Sequence, residues 1–189
     1  MKKSHLKHII KEIIKEEIDG PGIFVPRGIE GRKEKKTMMD YKKIQDYIKN
    51  GSKGDLDLEN SQITKLPDNL QVGGYLDLEK SQITELPNNL TVGRYLDLDN
   101  TQITELPDNL KVGGSLNLRN TPITTLPDNL SVGLSLNLDN SPITSLPDNL
   151  TVFGSLWLSN TPLSKKYSRE EIKDIIERQG GNVTKNIYI

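Results

Sequence analysis

Tyr95-Leu96-Asp97-Leu98-Asp99-Asn100-Thr101-Gln102-Ile103-Thr104-Glu105-Leu106-Pro107-Asp108-Asn109-Leu110-Lys111-Val112-Gly113-Gly114 is one unit of the repeat that decides the fold. Polar and apolar residues alternate over 95–99, the pattern of a strand with one buried face. Leu96 and Leu98 then point inward, while Tyr95, Asp97 and Asp99 point out. Thr101 and Ile103 turn a corner, and Leu106-Pro107 begins a return path. Proline cannot donate to a ladder, so it suits an irregular segment there. Asp108-Asn109 is a turn signal, Leu110 and Val112 are two more inward residues, and Gly113-Gly114 supplies a tight return.

The unit recurs every 20 residues. Leu-x-Leu stands at 56/58, 76/78, 96/98, 116/118, 136/138 and 156/158, and an apolar residue follows at Ile63, Ile83, Ile103, Ile123, Ile143 and Leu163. Such a period means a solenoid, in which each turn buries its apolar face only against its neighbours. The expected fold is a mainly β repeat solenoid of six turns, with N-terminal helices and a C-terminal helix-strand cap. Four parts follow: 1–36, an amphipathic helix and linker; 37–53, a capping helix; 54–164, the solenoid; and 165–189, the C-terminal cap.

This repeat resembles the leucine-rich repeat family, in its short 20-residue bacterial form ending in Leu-Pro. That form occurs in secreted effector proteins carrying a ubiquitin-ligase domain, so the resemblance implies a protein-binding function. It covers 54–164 of the 189 residues. Two positions depart from the family. Its leading Leu is Gly at 73, 93, 113 and 133 and Phe at 153, and its Asn ladder is replaced by Ser61, Ser81, Thr101, Thr121, Ser141 and Thr161. The Leu-x-Val segments are therefore placed to form a second sheet, which would flatten the horseshoe. The ligase chemistry needs a cysteine, and the chain has none.

Both ends carry capping signals. Residues 37–50 read as a helix through Met38, Met39, Tyr41, Ile44, Tyr47 and Ile48, with the methionines packing on the first turn and Gly51 as the stop. Ser168-Arg169-Glu170-Glu171 is a capping box opening a helix with Ile172, Ile175 and Ile176 inward. Gly180-Gly181 ends it, and Val183 to Ile189 reads as a strand pairing with the last turn. Ahead of all this, Leu6, Ile9, Ile10, Ile13, Ile14 and Ile18 form an apolar stripe on a helix over 5–18, broken by Asp19-Gly20-Pro21-Gly22. That helix suits docking to a partner, to a second copy, or to the rest of the chain. The opening Lys-Lys-Ser-x-Leu-Lys-x-Ile-Ile-Lys-Glu resembles the start of many small proteins of tailed bacteriophages, which implies a viral origin.

Charge is divided along the chain. Residues 1–53 hold 14 Lys/Arg against 8 Asp/Glu, 54–164 hold 5 against 14, and 165–189 hold 6 against 4. A basic leader and an acidic body attract one another within or between molecules. No uninterrupted apolar run exists to act as a signal peptide or to span a membrane, so a cytoplasmic setting (or a virion or host cytoplasm, if viral) is the default. The cysteine-free composition excludes disulfides and thiolate chemistry. His5 and His8 are the only histidines, so the solenoid has no Ser/His/Asp arrangement. No cofactor or metal is expected, and neither nucleic acid nor a membrane is expected as partner.

The outward ladders hold the candidate site: Asp57, Asp77, Asp97 and, further along, Trp157 in one; Glu59, Glu79 and Asp99 in the next; Tyr75 and Tyr95 in the preceding one. Stacked like charges repel unless water, a cation or a basic partner relieves them. Three readings stand. The face is solvated and guards against aggregation; or it recognises a basic protein with the tyrosines as anchors; or it holds calcium, which would need six or more convergent oxygens. The expected function is a non-enzymatic protein-interaction module. The alternative is an assembly protein, such as a virion component, that self-associates through its basic N-terminal segment into homo-oligomers.

Overall fold

The structure is a computed structural model that describes residues 27–189. The helix expected over 5–18 and the break at 19–22 lie outside the described residues. Two parallel sheets face each other across a shared core. The first has seven strands: β1 Leu56–Asp57, β3 Leu76–Asp77, β5 Leu96–Asp97, β7 Leu116–Asn117, β9 Leu136–Asn137, β11 Leu156–Trp157 and β13 Ile187–Tyr188. The second has six: β2 Gln71–Val72, β4 Thr91–Val92, β6 Lys111–Val112, β8 Ser131–Val132, β10 Thr151–Val152 and β12 Asn182–Val183. Residues 20 apart stand side by side, as Leu96 does with Leu76 and with Leu116. The fold is therefore a β-solenoid, and the Leu-x-Val segments do form the second sheet.

The repeat explains this register. Within one turn Leu96, Leu98, Ile103, Leu106, Leu110 and Val112 are all buried, and the equivalent positions are buried in each of the five complete turns. In the sixth, expected from the Leu-x-Leu count, Lys166 and Glu170 fall at two of these positions and are exposed as the C-terminal cap takes over. A one-residue slip would turn each of these side chains to solvent. Backbone bonds lock the stack: Leu96 N–H donates to Ser115 O at 3.0 Å and Leu98 N–H to Asn117 O at 2.9 Å. In the second sheet the bonds run the other way, Thr91 N–H to Leu70 O at 3.1 Å and Gly93 N–H to Val72 O at 2.8 Å. The strands are two residues long, shorter than the alternation over 95–99 suggests, because the corner begins at once.

The corners are built from short polar side chains. Thr101 Oγ1 donates to Leu98 O at 2.7 Å, and Thr121, Ser141 and Thr161 repeat the contact. The hydroxyls thus add a second donor to a corner carbonyl that also accepts the same residue's backbone N–H, as at Thr101, Ser141 and Thr161. The next residue-type signal lies in asparagine. Asn60, Asn100, Asn120, Asn140 and Asn160 hold positive φ, as do Asn69, Asn89, Asn129 and Asn149 on the return path. Asparagine tolerates that left-handed region better than other non-glycine residues. Its amides then bond from turn to turn, as Asn140 does to Asn120 and Asn149 to Asn129.

Both caps differ from the sequence expectation in extent. The N-terminal helix, α1, runs Arg27–Lys49 and so begins ahead of Thr37. The run Arg32-Lys33-Glu34-Lys35-Lys36 has high helix propensity but no apolar period, so periodicity alone stops short of it. Tyr41 and Ile44 are buried on the first turn. Met38 and Met39 are not; they are 50 % and 63 % exposed, which corrects the expectation that they pack there. At the other end lie α2, Pro162–Lys166, and α3, Arg169–Arg178. Ser168 caps α3 reciprocally with Glu171, as its capping box requires. The tail 183–189 is two strands rather than one, β12 beside β10 and β13 beside β11. Ile172 and Ile176 of α3 are buried in the shared core.

Candidate functional site: the outer face of the first sheet

Asp57, Asp77 and Asp97 stand in one column on this face, at consecutive rungs. Their first task is local. Asp57 Oδ1 accepts the Glu59 N–H, Asp77 Oδ1 the Glu79 N–H, and Asp97 Oδ1 the Asp99 N–H, at 3.0, 3.0 and 2.9 Å. Asn117 and Asn137 do the same for Arg119 and Asp139. A side-chain oxygen that accepts from the amide two residues on is an Asx turn, and either Asp or Asn can make it. The column of acids thus closes each strand before it displays charge.

The three carboxylates differ in what else relieves them. Asp57 Oδ2 lies 3.4 Å from Lys43 Nζ on α1. Asp97 Oδ2 accepts the Tyr95 hydroxyl at 2.8 Å, and its Oδ1 accepts Asn117 Nδ2 at 2.9 Å. Burial raises the Tyr95 hydroxyl well above its ordinary value, and the hydrogen bond and charge of Asp97 add to that. Among the described residues, Asp77 holds the Glu79 amide and no cation. Burial lifts its carboxyl above the ordinary 3.8; the Glu79 amide opposes this, and the charges of Asp97, Asp57 and Glu59 reinforce it.

The neighbouring column is less uniform than the sequence suggests. Glu59 is exposed and accepts Asn60 Nδ2 at 2.8 Å. Glu79 pairs with Lys80. Asp99 is only 8 % exposed, held by Asn120 Nδ2 at 2.8 Å and by Arg119 at 3.8 Å. It is a corner residue rather than part of the open face, and this corrects its expected outward display. The cause is the asparagine ladder, which draws the carboxylate into the bend.

Tyr75 and Tyr95 meet edge to face, with ring centroids 6.2 Å apart and planes at 89°. Tyr75 is 44 % exposed, and the Arg94 guanidinium sits 5.9 Å from its ring centre. Sequence reasoning passed over Arg94, although a signal was present: it replaces the glycine found at the equivalent positions 74, 114 and 154. Trp157 is placed elsewhere. It lies three rungs beyond Tyr95, about 14 Å along the axis, and stacks on Tyr188 at 3.9 Å and 17°. Tyr75, Tyr95, Asp77 and Asp97 are therefore one cluster, and Trp157 belongs to the C-terminal end.

Among the described residues no group of three or more His, Asp or Glu side chains converges as a metal site would need. No helix among them is long and apolar enough to cross a membrane. No protein family, no curated protein and no solved structure matches this chain.

Proposed function

We propose that this chain is a non-enzymatic protein-interaction module whose first-sheet outer face engages a basic protein segment. Asp77 carries the reading. It is a carboxylate partly withdrawn from water, with no cation partner among the described residues, beside an exposed tyrosine. A lysine or arginine from a partner would relieve the repulsion along Asp57, Asp77 and Asp97. Tyr75 supplies a rigid aromatic anchor next to it, the residue type that carries binding energy at interfaces. The stacked rungs fix both side chains beforehand, so little ordering entropy is lost on binding. The resemblance of residues 54–164 to leucine-rich repeats supports the same class of function.

Selection of displayed random peptides on the full chain tests this. The enriched peptides should be basic, should weaken as salt rises, and should lose binding to Tyr75→Ala and Asp77→Ala while keeping it to Leu134→Ser, at an exposed residue two repeats beyond Arg94. Enrichment of neutral or acidic peptides indifferent to Tyr75 and Asp77 would reject it. Salt-sensitive self-association with no selected peptide would favour the assembly reading instead.

A further inference from the structure

We propose that the bound basic segment carries a carboxylate a few residues from its cation, and that Arg94 receives it. The inference rests on the reading of Asp77 given above and deepens it. Arg94 is exposed, and its guanidinium makes no ion pair and donates no hydrogen bond among the described residues. What it does meet is Tyr75, whose ring centre lies 5.9 Å away and whose ring is braced edge to face by Tyr95. An aromatic ring attracts a cation but offers it no oxygen, so the planar fork of N–H donors stays open to a carboxylate. The backbone behind it is fixed, because Arg94 N–H donates to Gly74 O at 3.1 Å.

The face thus carries two charges of opposite sign, each without an ionic partner among the described residues, with Tyr75 between them. Arg94 precedes Asp97 by three residues, and Asp77 stands beside Asp97 one rung back. The backbones at Arg94 and Asp77 are therefore about 10 Å apart, a span that an extended segment covers in three residues. A lysine or arginine seated on Asp77 brings the residue two to four positions away over Arg94. A second cation there would be repelled, whereas a carboxylate can take two parallel hydrogen bonds from the guanidinium. Arg94 then decides which basic segments fit, while Tyr75 and Asp77 anchor them. The fold itself does not call for this side chain, since glycine stands at the equivalent positions 74, 114 and 154.

Displayed random peptides selected on the full chain, then remade with the acid changed to its amide, test this. The enriched peptides should carry Asp or Glu two to four residues from the Lys or Arg that depends on Asp77. Their amide forms should bind at least about tenfold more weakly. Arg94→Gly, which places at this rung the residue of three others, should bind acid and amide forms alike, and Arg94→Glu should prefer the amide. Basic peptides that need Tyr75 and Asp77, yet show one acid-to-amide ratio on the parent and on Arg94→Gly, would overturn this proposal and leave the proposed function standing. Peptides indifferent to Asp77, or no enrichment at all, would overturn both.

Discussion

Lys80 holds the corner that Asn100 holds one rung later, and the two share a left-handed backbone, φ 55° and 57°. Asn60, Asn120, Asn140 and Asn160 occupy the same corner in the other rungs. Lysine has a Cβ and a long stem but no short side-chain oxygen to offset the strain of positive φ. Its Nζ reaches out to Glu79 instead, on the solvent side.

Replacing Lys80 with Asn should therefore stabilise the protein by about 0.5–1 kcal/mol, part of the cost of holding such a residue in the left-handed region. The ion pair it gives up is exposed and contributes little. Thermal or denaturant unfolding of the variant checks this, with an unchanged denaturant slope showing that stability alone has changed.

Asp77 separates two roles that share one side chain. Asp77→Asn keeps the acceptor for the Glu79 amide, as Asn117 and Asn137 do for theirs, and removes the repulsion. It should stabilise by about 0.5 kcal/mol at neutral pH, whereas Asp77→Ala loses the turn and should be the less stable of the two. The pH dependence has a definite sign. The folded carboxyl titrates above its unfolded value, so its favourable contribution is present below the ordinary 3.8 and is lost as pH rises through the raised folded value. The midpoint gap between Asp77→Asn and the parent should open over that interval and close again on acidification. A gap independent of pH would mean that charge is not its source.

Gly133 tests how tightly the rungs are stacked. A Cβ built there overlaps the Gly113 carbonyl oxygen of the preceding turn, a backbone atom that cannot swing away. Gly133→Ala should cost about 1–3 kcal/mol, the range for overpacking. Ser131→Ala, on the exposed side of the adjacent strand, should be close to neutral. Parallel denaturation curves of the two variants decide it.

The spacing of Leu, Ile and Val was enough to read the stack, the inward set and the second sheet, because burial with a 20-residue period admits one register. The cap at Ser168 was legible for the same reason: its partner Glu171 is three residues away. What stayed hidden depends on contacts between turns. The acids at 57, 77 and 97 read as display, yet each first accepts an amide in its own bend. Asp99 read as exposed until the asparagine ladder drew it in. Met38 and Met39 read as core because an apolar residue in a helix gives no sign of which side faces the solenoid when the period is irregular. The strands β12 and β13 come 31 residues after β10 and β11, off the repeat, and so gave no periodic signal.

Chemical-shift mapping of the isotopically labelled chain, titrated with a basic peptide from the selection, tests the central claim most directly. Amide shifts should concentrate at Tyr75–Glu79 and Tyr95–Asp97, leaving the exposed Leu134 and Phe153 and the Leu-Pro return path silent. Shifts confined to Met38 and Met39, or to Phe153 and Trp157, with the tyrosine pair unmoved, would contradict it.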